Sequence, residues 1–429
     1  MIVTSLDLVR IADEIWVENG RIAPPGNGAK VEGELVLPGN VCAHTHLYSA
    51  LARGMPYALA PPRNFLQILQ RIWWRLDRAL DEDTIRASAL AGGMEALLSG
   101  TTTLVDHHAS PNAIDGSLDI VENALAALGV RSVLCYETSD RDGQERATAG
   151  IAENRRFLER VRREQPPLAR GLVGAHAAFT LSDETLAACA ELGPLHVHAV
   201  EDGVDRGAVT RLAALDALHE DTLLAHGVHL DEAELELVTA VGATVAHNAR
   251  SNMNNAVGRP HGFPPRLALG TDGIGSDMFE ESRTAFLRLR EDDIGAGGDW
   301  PLARLAESAR LAGRIFGEPL LGTLEPGAPA DLVVLDYPAP TPLTGQTFPG
   351  HWVFGLSSRH VRDVMVAGEW VVRDRRLVRL DQRELADGAT GEAERLWRRL
   401  DEIPAHDYAP RGGDDGPRRA VPAGQASHS

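Results

Sequence analysis

Acidic and imidazole side chains recur at matching places in this sequence, each closing a short apolar run. LVLPGNVCAH leads into His44-Thr45-His46, TTTLVDH into Asp106-His107-His108, and RSVLCYE ends at Glu137. GLVGAHA carries His176, LHVHAVE carries His198, TLLAHG ends near His226, TVAHN holds His247 and LALGTD ends at Asp272. These residue types hold divalent cations and move protons. His44 and His46, spaced i and i+2 on a strand, share one face and can reach one ion. His196 and His198 also share strand parity, so either is a ligand by pattern alone. His198 lies nearer the end of its run and three residues before Glu201, and is preferred. Asp272, followed by Gly273, presents a carboxylate from a loop. His226 is either a fourth nitrogen ligand or a hydrogen-bonding partner of the metal-bound water.

Three histidines and one carboxylate around an open position suit one divalent ion, Zn2+ first and Fe2+ second. Such an ion lowers the pKa of bound water to about 7, which supplies hydroxide at neutral pH. Asp272 can accept the water proton, and Glu201 can protonate the leaving side. The expected reaction is hydrolysis, with that hydroxide attacking an sp2 carbon. Opening a cyclic amide would use the same ion and the same Asp272. A barrel kept only as a binding module would be expected to have lost ligands, and here all are present. His107 or His108 can face the pocket, and Glu137 is a candidate for substrate binding. His247, Asn248, Ser251 and Asn252 fit structural support of the loop around them. Of the tandem pair Trp73 and Trp74, one can overhang the pocket as a stacking lid.

Something must bring these side chains to one place. Between the eight apolar runs lie amphipathic stretches of helical period, such as DEDTIRASALAGGMEALLSG and DEAELELVTAVG. SLDIVENALAALG has Ser117 as its expected N-cap and Gly129 as its C-cap. The repeat is roughly 33 residues long, the size of a βα unit. Eight strand–helix alternations predict an α/β fold, a (β/α)8 TIM barrel over residues 39–324, with active residues at the C-terminal ends of its strands. Residues 1–38 and 325–380 alternate apolar and polar positions between Gly and Pro, as short strands do, and are expected to form one small β domain. Residues 381–403 are expected to hold a C-terminal helix. Residues 404–429, rich in Gly, Pro, Asp and Ser, are expected to be a disordered tail without chemistry.

The composition narrows the partners. A formal net charge of −19 argues against nucleic acid, whose binding needs basic patches. No apolar run approaches the roughly 20 residues of a membrane helix. The N-terminus lacks the basic start and apolar block of a signal peptide, so a cytoplasmic location is expected. The expected partner is a small heterocyclic substrate, with a homodimer left open. Cys42, Cys135 and Cys189 form no disulfide framework or C-x-x-C zinc pattern. Lys30 is the only lysine, so no carboxylated lysine can serve the middle of the chain.

The His44-Thr45-His46, His198, His226 and Asp272 set resembles the amidohydrolase superfamily. The His198-x-x-Glu201 spacing is similar to its branch of aromatic deaminases and chlorohydrolases. IWWRLDRALDED, DHHASP, HNARSNMNN, LALGTDGIGSDMFEE and LWRRLD look like the SsnA-type aminohydrolases, a likeness spanning about residues 1–403. The resemblance implies a distorted barrel, a β-sandwich built by both termini, one divalent metal, and attack on an sp2 carbon of a nitrogen heterocycle such as a purine or pyrimidine derivative with release of ammonia. It implies that Glu201 shuttles a proton to a ring nitrogen, that His226 orients the hydroxide, and that Asp272 both binds metal and accepts a proton. His176 falls at a substrate-contacting position. The stretch from Glu201 to His226 is shorter than is usual for SsnA-type chains, which bears on the substrate and leaves the metal site untouched.

Overall fold

All eight apolar runs form strands in the computed structural model, which describes residues 1–12 and 14–410. They are β1 (Asn40–His46), β2 (Thr101–His108), β3 (Arg131–Tyr136), β4 (Val173–Ala177), β5 (Leu195–Ala199), β6 (Leu223–His226), β7 (Thr244–His247) and β8 (Leu267–Leu269). Every residue of these strands is buried. A parallel sheet covered on both faces selects such near-continuous apolar runs rather than alternation.

The strands form two parallel sheets. One runs Ala169–Gly171, β3, β2, β1 and Asp272–Gly273, and the other runs β4, β5, β6, β7, β8. Backbone hydrogen bonds join the sheets at both edges. Thr138 N donates to Gly174 O (3.2 Å) and His176 N to Thr138 O (2.9 Å) at one edge. Thr271 N donates to His44 O (2.9 Å) and Gly270 N to His247 O (3.1 Å) at the other. Parallel register brings the functional residues to one level: Asp272 pairs with Thr45, His198 with Ala177, and His226 with Ala199.

Two of the runs divide. LVLPGNVCAH breaks at Gly39, where a Cβ would stand 2.3 Å from Thr102 Oγ1. Before the break, Leu35–Pro38 lies antiparallel to Leu332–Leu335; after it, β1 enters the parallel sheet. LALGTD stops at Leu269, and Asp272–Gly273 then crosses to pair with β1.

The terminal segments build two further sheets. A seven-stranded one combines Ile2–Val3, Ile11–Ala12 and Leu35–Pro38 with Leu332–Leu335, Val361–Val366, Glu369–Arg373 and Arg376–Leu377. A three-stranded one holds Ile15–Glu18, Arg21–Ala23 and Ala29–Val31. Val36, Leu332 and Met365 from the first share an apolar core with Ile15, Ile22 and Val31 from the second.

The helices show where local signals hold and where they are overridden. Asp81 and Thr84 make a reciprocal capping box at the start of Glu82–Leu98. Gly129 ends Ser117–Leu128 in the left-handed region, as expected, but Ser117 is not the N-cap. Gly116 takes that position at φ +76°, and Glu153 from a neighbouring helix accepts Gly116 N (3.2 Å) and Leu118 N (3.1 Å). A carboxylate distant in sequence thus satisfies donors that a local hydroxyl was expected to meet. The expectation of a structureless tail also needs correction. After the helix Gln382–Asp401, His406 is buried and Tyr408 bonds Phe179 O, because their rings find an apolar seat against Trp74. Residues 411–429 lie outside those described.

One buried ion pair ties the terminal β sheets to the strand that carries Glu137. Arg131, which opens β3, donates to both oxygens of Asp331 (2.8 and 3.0 Å), and both side chains are almost fully buried. Asp331 Oδ1 also accepts Ala367 N at 2.6 Å. Asp331→Ala leaves the guanidinium buried and unpaired, so we expect a stability loss of about 3–5 kcal/mol. A thermal melt that matches wild type would show that this pair does not join the two parts.

Candidate active site and metal centre

The C-terminal ends of β1, β5 and β6 and the Asp272 segment converge. Asp272 Oδ1 lies 3.1 Å from His46 Nε2 and 3.4 Å from His44 Nε2. His198 Nδ1 lies 3.2 Å from His226 Nε2, and Glu201 Oε2 lies 3.4 Å from the same His226 nitrogen. Among the described residues, five sets of atoms each lie within 4.8 Å of one another: His44, His46, Asp272; His44, His198, His226; Glu201, His226, Asp272; His46, His107, Glu137, His198; and His107, Cys135, His196. Shared members join these sets into one cluster. His44 is common to the first two, whereas His198 and Asp272 meet in none of the sets.

The surrounding atoms fix which imidazole nitrogens are free. His46 Nδ1 donates to His107 O at 2.6 Å, which turns Nε2 toward Asp272. His44 Nδ1 bonds His196 Nε2 at 2.8 Å, and His44 Nε2 makes no hydrogen bond although it is buried. Burial pushes His44 down to about 3, so its ring is neutral, and Nε2 is an acceptor in the tautomer whose Nδ1–H donates to His196 Nε2. Burial also opposes charge on His46, yet its bond to Asp272 pushes it up to about 9. The space between His46 and Asp272 therefore favours a positive charge. Two neutral-capable imidazoles, an unpartnered buried nitrogen and a carboxylate are a donor set that fits a divalent cation such as Zn2+.

His196 thus lies one layer beneath the cluster, on the face its parity predicts, and orients His44. His226 Nδ1 donates to Asn252 Oδ1 at 2.9 Å, and the Asn248 amide stands 3.3 Å from the same nitrogen. Ser251 donates to Asp272 Oδ2. Asn255 donates to Glu201 Oε1 at 3.1 Å. The HNARSNMNN motif, on and around the helix Ala249–Asn254, therefore holds three candidate catalytic side chains at once. His226 and Asp272 sit at φ +76° and +58°, left-handed conformations costly for residues with a Cβ. Burial pushes Glu201 up to about 7, against the pull of His226.

A pocket opens above the cluster. His46, His198, Glu201 and Asp272 line its floor, with Glu137 and His176 beside them. Phe65, Leu69, Trp73, Trp74 and Phe179 form an apolar wall, so both tryptophans face the pocket rather than one. His108 turns away to Ser110 (3.0 Å), while His107 bonds Glu137 Oε2 at 3.1 Å. His247 lies behind the site, 3.5 Å from Asn252.

The sequence reading missed Arg141. It is buried, bonds Glu137 Oε1 at 2.8 Å and pairs with Asp77 at 2.5 Å. Its only local signal was a lone arginine four residues past Glu137. Tyr48, Ser49, Asp202, Asp205 and Asn255 also line the pocket without having been singled out.

A model of the amidohydrolase family matches residues 35–371. A 5'-deoxyadenosine deaminase of Methanopyrus kandleri is 30% identical over 389 residues, 85% of this chain and 87% of that protein. A 5-methylthioadenosine/S-adenosylhomocysteine deaminase of Desulforudis audaxviator is 31% identical over 424 residues, 90% and 94% of the two chains. Among solved structures, an adenosine deaminase of Xanthomonas campestris with bound zinc superposes with a TM-score of 0.77 at 23% identity, covering 92% of this chain and 96% of that one. An atrazine chlorohydrolase of Arthrobacter aurescens complexed with zinc gives 0.75 at 21% identity, covering 91% and 98%. These two likenesses speak to fold, an α/β architecture with parallel sheets. The family match and the relatives together place the chain among hydrolases of C–N bonds: it belongs to the amidohydrolase family.

Proposed function

We propose that the chain is a deaminase of neutral adenosine-type heterocycles, with one divalent metal held by His44, His46, His198 and Asp272. The observation that carries this is the meeting of Glu201, His226 and Asp272 with the imidazole cluster on the floor of an aromatic-walled pocket. The deaminase names of the relatives point the same way. Lys30, the sole lysine, is exposed beside Glu14 and Glu32, so no carboxylated lysine is available to bridge a second ion.

A bound divalent ion supplies an acidified water at neutral pH. His226, its Nδ1–H held by Asn252, presents Nε2 to orient that water. Asp272 takes the water proton as oxygen bonds to the amino-bearing ring carbon. Glu201, held by Asn255 through Oε1, gives its proton from Oε2 to the adjacent ring nitrogen. The exocyclic C–N bond then breaks as Asp272 returns its proton to the departing nitrogen, the carbon-bound hydroxyl gives its proton back to Glu201 to leave a carbonyl, and ammonia departs. Glu137 and His176 face the pocket where the heterocycle would be read, with Arg141 and Asp77 holding Glu137 in place. Among the described residues, the pocket lining contains Glu137, Glu201, Asp202, Asp205 and Asp272 but no arginine or lysine. A phosphate on the substrate would meet carboxylates without a cation to pair with.

The hydrogen bonds along both edges lead us to read the two parallel sheets as one distorted (β/α)8 barrel. The core shared by the terminal sheets leads us to read them as one β-sandwich.

Two measurements test this reading. Glu201→Gln keeps the shape but has no proton to give; ammonia release should fall about 10²–10⁴-fold with metal content unchanged. Turnover that survives the substitution removes Glu201 from the proton path. In a panel of metal-loaded assays, adenosine and 5'-modified neutral adenosines should release ammonia, while adenosine 5'-monophosphate should lag by more than about 100-fold in kcat/KM. Equal use of the nucleotide overturns the charge argument, and ring opening without ammonia overturns the deaminase reading.

A further inference from the structure

The aromatic wall of the pocket lies on the segment Phe65–Ala79, which is helical but contains a π turn at Leu69–Trp73. A π turn gives up regular helical hydrogen bonding and is found mostly where function shapes a helix. The loop before it is open to solvent, with Tyr57 66% exposed. The wall is instead held from the far end of the chain. Arg75, buried, donates through Nε to Ile403 O and through Nη2 to Leu400 O, both at 2.7 Å. It thereby binds one carbonyl in the last turn of the helix Gln382–Asp401 and one just beyond its end. Gln70 and the segment after this helix bond reciprocally: His406 N donates to Gln70 O (2.8 Å), and Gln70 Nε2 donates to Tyr408 O (2.9 Å).

Two side chains of that segment then join the wall itself. The His406 ring is buried with its centroid 5.2 Å from that of Trp74, edge to face, and its Nε2 lies 3.4 Å from Asp142. Asp142 in turn holds Arg78 at 2.7 Å. Tyr408 packs against the cluster that contains Phe65, Leu69, Trp73, Trp74 and Phe179, all five of which line the pocket. Its hydroxyl donates to Phe179 O at 2.7 Å. Phe179 follows β4, on a different element from Trp74, so one tyrosine spans two separate parts of the wall.

We infer that residues Ile403–Tyr408 form a strap whose His406 and Tyr408 are positioning residues for substrate binding, fixing the aromatic wall of the active-site pocket in its bound shape. The contacts of the strap named above fall on the aromatic wall. It acts by ordering Phe65, Trp73, Trp74 and Phe179 before a substrate arrives, so that less freedom is lost on binding. Its contribution falls on KM rather than on the chemical step.

The test compares the full chain with three variants: a deletion of residues 411–429, a deletion of residues 404–429, and the double substitution His406→Ala/Tyr408→Ala. Amide hydrogen exchange over residues 65–79 is read alongside KM, kcat and zinc content. The kinetic measurement rests on the deaminase reading, whereas the exchange measurement does not, so failure of one is distinguishable from failure of the other. The shorter deletion should match the full chain. The longer deletion and the double variant should speed exchange in residues 65–79 and raise KM about tenfold, with kcat within about twofold and zinc retained. If the longer deletion does not fold, the double variant decides. Unchanged exchange in the wall, an unchanged KM, or a fall in kcat together with zinc loss each overturns the inference.

Discussion

A largely enclosed carboxylate that faces two imidazole nitrogens favours positive charge between them. Asp272 faces His44 and His46 in this way, with His44 fully buried and its Nε2 without a hydrogen bond. Desolvation penalises each of these groups, and positive charge between them, as an imidazolium or a shared cation, offsets it. The parallel register of β1, β5 and β6 sets their heights. The crossing of Asp272 onto β1 brings the carboxylate in, at the cost of a left-handed backbone. The hydrogen bonds of His46 to His107 O and of His44 to His196 turn the right nitrogens inward.

The same site is supported from two directions. From one side, the helix Ala249–Asn254 and its flanks hold His226 through Asn252, Asp272 through Ser251, and Glu201 through Asn255. Nucleophile orientation, proton acceptance and proton donation are thereby tied to one short element, and a shift of that helix would disturb all three. From the other side, the charged network of Glu137, Arg141 and Asp77 links the end of β3 to the aromatic wall. Arg141 also lies 5.6 Å from the Trp74 ring centroid. Chemistry and substrate recognition therefore rest on different supports.

Much of this was legible in the sequence, because burial on both faces gives parallel strands an unmistakable apolar run and leaves polar residues only at the ends. His44, His46, His198, His226 and Asp272 stood out for that reason. Parity also placed His196 on the inner face, although only the structure shows it behind His44. What periodicity could not show were contacts between residues far apart in the chain. Glu153 replaces Ser117 as the partner of a helix N-terminus. Arg141 reaches back 64 residues to Asp77. His406 and Tyr408 sit in a Gly- and Pro-rich stretch whose composition argued for disorder, yet two aromatic rings and a capping arginine outweigh that composition locally.

The central claim is one cation bound by imidazole and carboxylate at this face. X-ray absorption at the metal edge of the purified, zinc-loaded chain tests it most directly. The account predicts one ion per chain with only nitrogen and oxygen neighbours, at about 2.0–2.2 Å. His107, Cys135 and His196 also lie close enough to hold an ion, and binding there would add a sulfur neighbour. A sulfur shell at about 2.3 Å, or no stoichiometric metal, would contradict the account.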